Sequence, residues 1–151
     1  MQAYDIMISQ VYKVKESERV KAVIEKFSDH RISGLPIVNE RNEIIAYISD
    51  GDIMRYIGKK VMTLDFYNFA TIYEMDKEYF ELRSKSILNL NVMEIAKKKV
   101  VKVQWDTPIE EIAAILGEKK IKKVPVERKG VLVGIISRGD VIRHVFKQFI
   151  D

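Results

Sequence analysis

Two short segments carry the residue types on which chemistry could rest. Ser49-Asp50-Gly51-Asp52 and Ser137-Arg138-Gly139-Asp140 each place a carboxylate three positions after a hydroxyl. Each follows an apolar run and precedes a stretch of helical pattern, so each stands where a strand turns into a helix. Free N–H groups at a helix start, with the positive end of the dipole behind them, favour phosphate. A serine hydroxyl can donate to a phosphate oxygen, and an aspartate can accept from ribose hydroxyls. Gly51 and Gly139 leave room for a ligand to approach the backbone, and Arg55 and Arg143 lie one helical turn on, within reach of phosphate with a forked donor. Ser49, Asp52, Arg55, Ser137, Arg138, Asp140 and Arg143 thus form a candidate set for a phosphorylated ribose.

The same spacing suits a capping box, in which Ser and Asp bond each other's backbone. One copy would favour that simpler reading; two copies, each after an equivalent strand and before an equivalent arginine, favour the ligand. The motifs differ at their second position, Asp50 against Arg138. A carboxylate repels phosphate at short range and a guanidinium attracts it, so the second motif is expected to hold phosphate more tightly.

Other chemistry is poorly supplied. His30 and His144 are the only histidines and there is no cysteine, so no cluster has metal-ligand spacing. No nucleophile, base and orienting group form a set. No catalytic residue, metal or required cofactor is expected.

The motifs belong to an internal repeat, which sets the organisation. Val20, Val23, Ile24 and Phe27 trace one helix face; Ile109, Ile112, Ala113 and Leu116 trace another, each shifted by 89. Val14 and Val103 share that shift, as do Leu35-Pro36-Ile37 and Val124-Pro125-Val126. Each copy reads as strand, helix, strand, strand, helix. Ser17 is the expected N-cap of the first helix, and Thr107, with Pro108 at the first helical position, that of its counterpart. Gly117 is expected to end the latter helix in a left-handed conformation. The proline-bearing strands, Ile32 to Val38 and Ile121 to Val126, should be short or at an edge, because proline lacks a ladder donor. Asn42 and Gly130 suit the positive φ of the turns that follow. Buried strands over Ile44 to Ile48 and Val131 to Ile136 lead to second helices starting at Asp52 and Asp140. One copy of about fifty residues buries too little surface to stand comfortably by itself, so two copies packed as a pseudo-twofold pair with matching clefts are expected. The fold class is α/β (α+β), with the first repeat over residues 1–58, a connecting segment over 59–90 and the second repeat over 91–151.

The connecting segment is rich in aromatics (Phe66, Tyr67, Phe69, Tyr73, Tyr79, Phe80) and has helical composition from Leu64 to Leu90. A helix packed on the module or on a partner subunit is expected. The net charge of +4 is uneven: residues 91–151 carry 13 basic and 8 acidic groups, whereas the rest is nearly balanced. A basic region attracts phosphate groups. Lys97 to Lys99 and Lys119, Lys120, Ile121, Lys122 and Lys123 read most simply as solvated surface, with some of the lysines lining the second cleft. Hydrophobic residues make up 47% of the 151, enough for a core. The absence of a long apolar run and of a secretory signal, with no cysteine, leads to the expectation of a cytoplasmic protein.

The order of elements, the two proline-bearing strands, Gly134 before the end of the last strand and both Ser-x-x-Asp motifs resemble the cystathionine-β-synthase (CBS) domain family in its tandem, Bateman form. Asp5-Ile6-Met7 and Asn91-Val92-Met93 resemble the segments leading into the family's repeats, an alignment that makes the second lead-in three residues longer. The resemblance implies a module that binds an adenosine-containing ligand, most simply AMP, ADP or ATP, with S-adenosylmethionine or a cyclic dinucleotide as further possibilities. It implies adenine contacts at Ser9, Gln10, Val11, Ile32, Ser33 and Leu35 in one cleft, and at Lys99, Val100, Val101, Ile121, Lys122 and Val124 in the other. It also implies a homodimer built on the helices and output to an effector protein. A nucleic-acid-binding protein using the basic C-terminal third, or an interaction module with vestigial clefts, are the alternatives; no recognition-helix or zinc-finger pattern supports the former.

Overall fold

The computed structural model describes residues 1–59 and 69–150. The chain folds into two three-stranded sheets, each covered by helices, in the order α1 (Ala3–Ile6), β1 (Val14–Lys15), α2 (Val20–His30), β2 (Gly34–Val38), β3 (Ile44–Ser49), α3 (Asp50–Ile57), α4 (Phe69–Ile87), β4 (Val103–Gln104), α5 (Ile109–Glu118), β5 (Lys123–Arg128), β6 (Val131–Ser137) and α6 (Arg138–Phe146). The sheet orders are β1-β2-β3 and β4-β5-β6, parallel in the first pairing and antiparallel in the second. The proline-bearing strands are short, but they are central and not at an edge. Pro36 and Pro125 are tolerated because β1 and β4 pair only with the residues just after each proline, Ile37–Val38 and Val126–Glu127.

Alternation places Leu35, Ile37, Ala46 and Ile48 in the first core with Val14, Val20, Val23 and Ile53. Val124, Val126 and Ile136 join Val103, Ile109, Ile112, Leu116 and Val141 in the second. Each fully buried Val, Leu or Ile contributes about 1.5–3 kcal/mol. Ala113, expected on the buried face of α5, is exposed.

The halves complete one another. Ala3 and Ile6 of α1 lie in the core of the second half, and Ile87 and Val92, which precede the second half, lie in the core of the first. The backbone bonds that fix this exchange come in pairs. Val20 N–H donates to Leu90 O (2.9 Å) and Ile109 N–H to Met1 O (3.0 Å). Val92 N–H donates to Glu18 O (3.0 Å) and Ala3 N–H to Thr107 O (2.9 Å). Every member of one bond is displaced by 89 from its counterpart, so the lead-in segments have equal length, and Gln2-Ala3-Tyr4 matches Asn91-Val92-Met93. The three-residue offset implied by the family resemblance is thereby corrected.

The same bonds correct the expected N-caps. The first free donors of α2 and α5 are satisfied by carbonyls of the lead-in segments, with Arg19 and Pro108 at the cap positions. Thr107 Oγ1 accepts instead from Gln104 N–H (2.9 Å), inside the turn before the helix. Gly117 lies within α5, which runs on to Glu118. The left-handed helix end is at Arg31 of the other copy (φ 52°), while Asn42 and Gly130 do take positive φ in their turns. The second helices begin at Asp50 and Arg138, two residues before the expected aspartates. α4 packs beside α3, and Arg83 Nε donates to Ile57 O (3.0 Å). Leu64, Phe66 and Tyr67, where the connecting helix was expected to begin, lie outside the described residues.

Candidate functional site

The two motifs build the same local device. Ser49 is extended as N-cap of α3, and Asp52 accepts from its N–H (2.9 Å) and Oγ (3.2 Å). Arg55 Nη2 pairs with the other oxygen of the same carboxylate. At α6, Asp140 accepts from Ser137 N–H (2.8 Å), Ser137 Oγ (2.8 Å) and Arg143 Nη2 (2.6 Å), and Asp140 N–H donates back to Ser137 Oγ (3.1 Å). Burial raises the Asp140 pKa, but the Ser137 backbone and hydroxyl bonds and the Arg143 charge outweigh it and hold the group below its ordinary value. The Asp52 and Asp140 side chains are 3% and 7% exposed, those of Arg55 and Arg143 61% and 69%. The carboxylates start their helices and aim their arginines, the capping arrangement weighed against the ribose contact. Ser49, Gly51 and Arg55 remain to face outward.

At the first motif they face a cavity of about 500 Å³ between the halves. The first half supplies Ser33, Gly34, Tyr47, Ser49, Asp50, Gly51 and Arg55; the second supplies Lys97, Lys99, Val100, Val101, Lys120, Ile121, Lys122, Lys123 and Pro125. A reciprocal backbone pair between Tyr47 and Lys97 (2.9 Å each way) lays the second lead-in along β3 and creates this combination. The counterpart pair joins Ile8 to Ile135 (2.9 and 3.0 Å). The first motif thus meets the base-contact segments assigned to the second, and not Ser9, Gln10 and Val11. Ser9 and Gln10 are exposed, and Ile32 packs on the first core. Val11 and Val100 pack against a small cluster of Val38, Ile44 and Leu132. Leu35 and Val124, both 0% exposed, turn inward by strand alternation and are not on a cleft wall.

Ser137, Asp140 and Arg143 do not line this cavity. Arg138 Nη2 donates to Lys119 O (3.3 Å), and its side chain borders a shallow depression with Ala113, Leu116, Gly117, Val141 and Ile142. Around the cavity beside the first motif, five lysines and Arg55 stand against the single carboxylate of Asp50. Tyr47 escaped the sequence reading. Its ring lies over Gly34, where a Cβ would stand 2.6 Å from the hydroxyl. Burial, and then the charge of Asp50, push its pKa up to about 12. The signal available was its outward position in β3, where Ala46 and Ile48 point inward.

Among the described residues, no group of three His, Cys, Asp or Glu side chains could hold a metal ion, and no helix is long and apolar enough to cross a membrane. The CBS domain model matches residues 3–59 and 92–147. The chain belongs to the CBS-domain family. A curated relative of the CBS chain is an uncharacterized protein of Methanocaldococcus jannaschii, 27% identical over 147 residues, covering 91% of this chain and 87% of that protein. Another is the chloroplastic CBSX2 of Arabidopsis thaliana, 26% identical over 138 residues, of whose length the alignment spans 58% and of this chain 88%. Solved structures share the tandem CBS fold: CBSX2 in complex with AMP (TM-score 0.73, 24% identity, 97% of each chain) and the CBS pair of protein MJ0100 with 5′-methylthioadenosine and S-adenosyl-L-methionine (TM-score 0.68, 17% identity, 98% of each chain).

Proposed function

We propose that this CBS pair is a regulatory, non-catalytic module that binds an adenosine phosphate in the cavity between its halves. The carrying observation is the cavity's composition. Val100, Val101, Ile121 and Pro125 offer an apolar strip for a flat base. Arg55 beside the start of α3 and the five lysines place six cations around a phosphate chain, and the Ser49 hydroxyl can turn from Asp52 to donate to it. Ser33 lies beside this strip, Lys99 and Lys122 serve phosphate, and Asp52 is a positioning residue for Arg55. The same charge disfavours S-adenosylmethionine, whose sulfonium and ammonium are cationic. The AMP found on CBSX2 and the adenosine compounds found on MJ0100 support the adenosine part of the reading. A ligand touching both halves shifts their relative orientation to the extent that it binds one orientation better. Output then passes to an effector protein or a second copy. An exposed apolar stripe at Ile142, Phe146, Phe149 and Ile150, 50–70% exposed, supports a homodimer formed through the helices.

A thermal-unfolding screen tests the proposal with AMP, ADP, ATP, S-adenosylmethionine, 5′-methylthioadenosine and cyclic dinucleotides. At a concentration of about 100 times Kd, a binder stabilises by roughly 2.7 kcal/mol, or roughly 5–10 °C for a chain of this size. Adenine nucleotides should raise Tm, and Ser49→Ala should reduce the rise. A chain whose Tm no adenosine phosphate moves would overturn the reading; steeply salt-dependent binding to DNA would point to the basic C-terminal third instead.

A further inference from the structure

We infer that the cavity selects a nucleoside di- or triphosphate free of divalent metal, with lysines of the second half neutralising the phosphate chain in place of Mg²⁺. The inference rests on the adenosine-phosphate reading and specifies the ligand further. One phosphate is already served beside the start of α3, by Arg55 and by the Ser49 hydroxyl once it turns from Asp52. Ser49 Oγ and Arg55 Nη1 lie 3.7 and 3.4 Å from the point where a Cβ on Gly51 would stand, so hydroxyl and guanidinium converge over that glycine. A monophosphate group carries about −2 at most. Lys97, Lys99, Lys120, Lys122 and Lys123 remain around the same cavity. Among the described residues, none of these five lies within 4 Å of a carboxylate. Like charges gathered round one space repel, and a longer phosphate chain relieves that repulsion where a monophosphate leaves most of it.

Magnesium would enter with its own preference for oxygen ligands, carboxylates above all. The cavity wall has one carboxylate, Asp50, whose Oδ1 already accepts from Gly51 N–H (2.8 Å). A metal-bound triphosphate also presents less negative charge to the lysines. Lysine suits the role: each ammonium is a mobile point charge with three donors, able to follow a flexible chain of phosphates.

Isothermal titration of the full chain at fixed ionic strength tests this, with adenosine, AMP, ADP, ATP and inorganic tripolyphosphate, each with and without excess Mg²⁺. Affinity should rise from AMP to ADP to ATP by about tenfold per added phosphate, the size of one charge-assisted contact. Excess Mg²⁺ should weaken ATP binding about tenfold and leave AMP binding nearly unchanged. The exposed pair Lys99→Ala/Lys120→Ala, with its fold checked by circular dichroism, should lower ATP affinity more than AMP affinity and so compress the ladder. AMP binding as tightly as ATP, or Mg²⁺ strengthening ATP, overturns the inference. Tripolyphosphate binding as tightly as ATP would sink the adenosine reading while sustaining the phosphate-chain one. Binding of adenosine and AMP without any gain from further phosphates would do the reverse, and a chain that binds none of the five would end both.

Discussion

Asp140→Ala isolates the helix-start device, because Asp140 lies away from the cavity. The substitution removes one carboxylate that accepts three hydrogen bonds, from Ser137 N–H (2.8 Å), Ser137 Oγ (2.8 Å) and Arg143 (2.6 Å). Its residue is 5% exposed, so water replaces those bonds incompletely. Loss of the carboxylate half of a capping box removes a hydrogen bond to the Ser137 N–H worth about 0.5–1.5 kcal/mol, and a buried donor left without a partner costs about 1–3 kcal/mol. These costs overlap, since both include the bond to the Ser137 N–H, so a total of about 2–3 kcal/mol is expected. For a chain of this length that is a fall in Tm of roughly 4–12 °C. The pH dependence adds an internal control. Because the folded pKa of Asp140 lies below its unfolded value, its stabilisation is fully present above that unfolded value, about 3.9. It is lost as pH falls through the folded pKa. Thermal unfolding followed by circular dichroism should therefore show a wild-type advantage that is constant near neutrality and shrinks below pH of about 4. An advantage under about 0.5 kcal/mol, or one that persists unchanged into acid, would refute the reasoning.

Three further outcomes follow from named contacts. Gly134→Ala should destabilise by about 1–3 kcal/mol, since its Cβ would stand 2.5 Å from Met7 Sδ; denaturant titration should show part of the loss recovered by Met7→Ala, which recreates the Ala46 and Ala96 pair of the first half. Ile6→Ala should cost about 2–5 kcal/mol, and amide exchange should accelerate more in β5 and β6 than in β2 and β3, because Ile6 belongs to the second core. Ultraviolet titration of the wild type minus Tyr47→Phe should show one phenol ionising near pH 12; a difference spectrum with a midpoint near 10 would contradict the packing of Tyr47 over Gly34 and beside Asp50.

Much of the fold was legible because the repeat is written in side chains that obey local periodicity. Val20, Val23, Ile109 and Ile112 follow the helical period into their cores, and Ala46, Ile48 and Ile136 the strand period. The exchange of lead-in segments was not legible. Ala3 and Ile6 are apolar, and nothing local in them says which core they enter; the long-range backbone bonds from Ala3 N–H to Thr107 O and from Ile109 N–H to Met1 O decide it. That exchange also brings Lys99, Val100, Val101, Ile121 and Lys122 beside the first motif, a pairing that no local pattern reveals. The capping bonds of Asp52 and Asp140 to Ser49 and Ser137 were visible in the Ser-x-x-Asp spacing as one of two readings. The lysine run from 119 to 123 looked like solvated surface because a cation-lined cavity and a solvated face have the same composition; only the tertiary fold brings Lys120, Lys122 and Lys123 of that run to the same cavity as Ser49.

The most direct test of the central claim is a crystal structure of the chain with ADP bound. The account predicts phosphate oxygens within hydrogen-bond distance of Ser49 Oγ and Arg55, lysine ammoniums from residues 97–123 around the outer phosphate, and the base against Val100, Val101 and Ile121. ADP bound at Ser137 and Arg138, with the cavity beside Ser49 left empty, would contradict it.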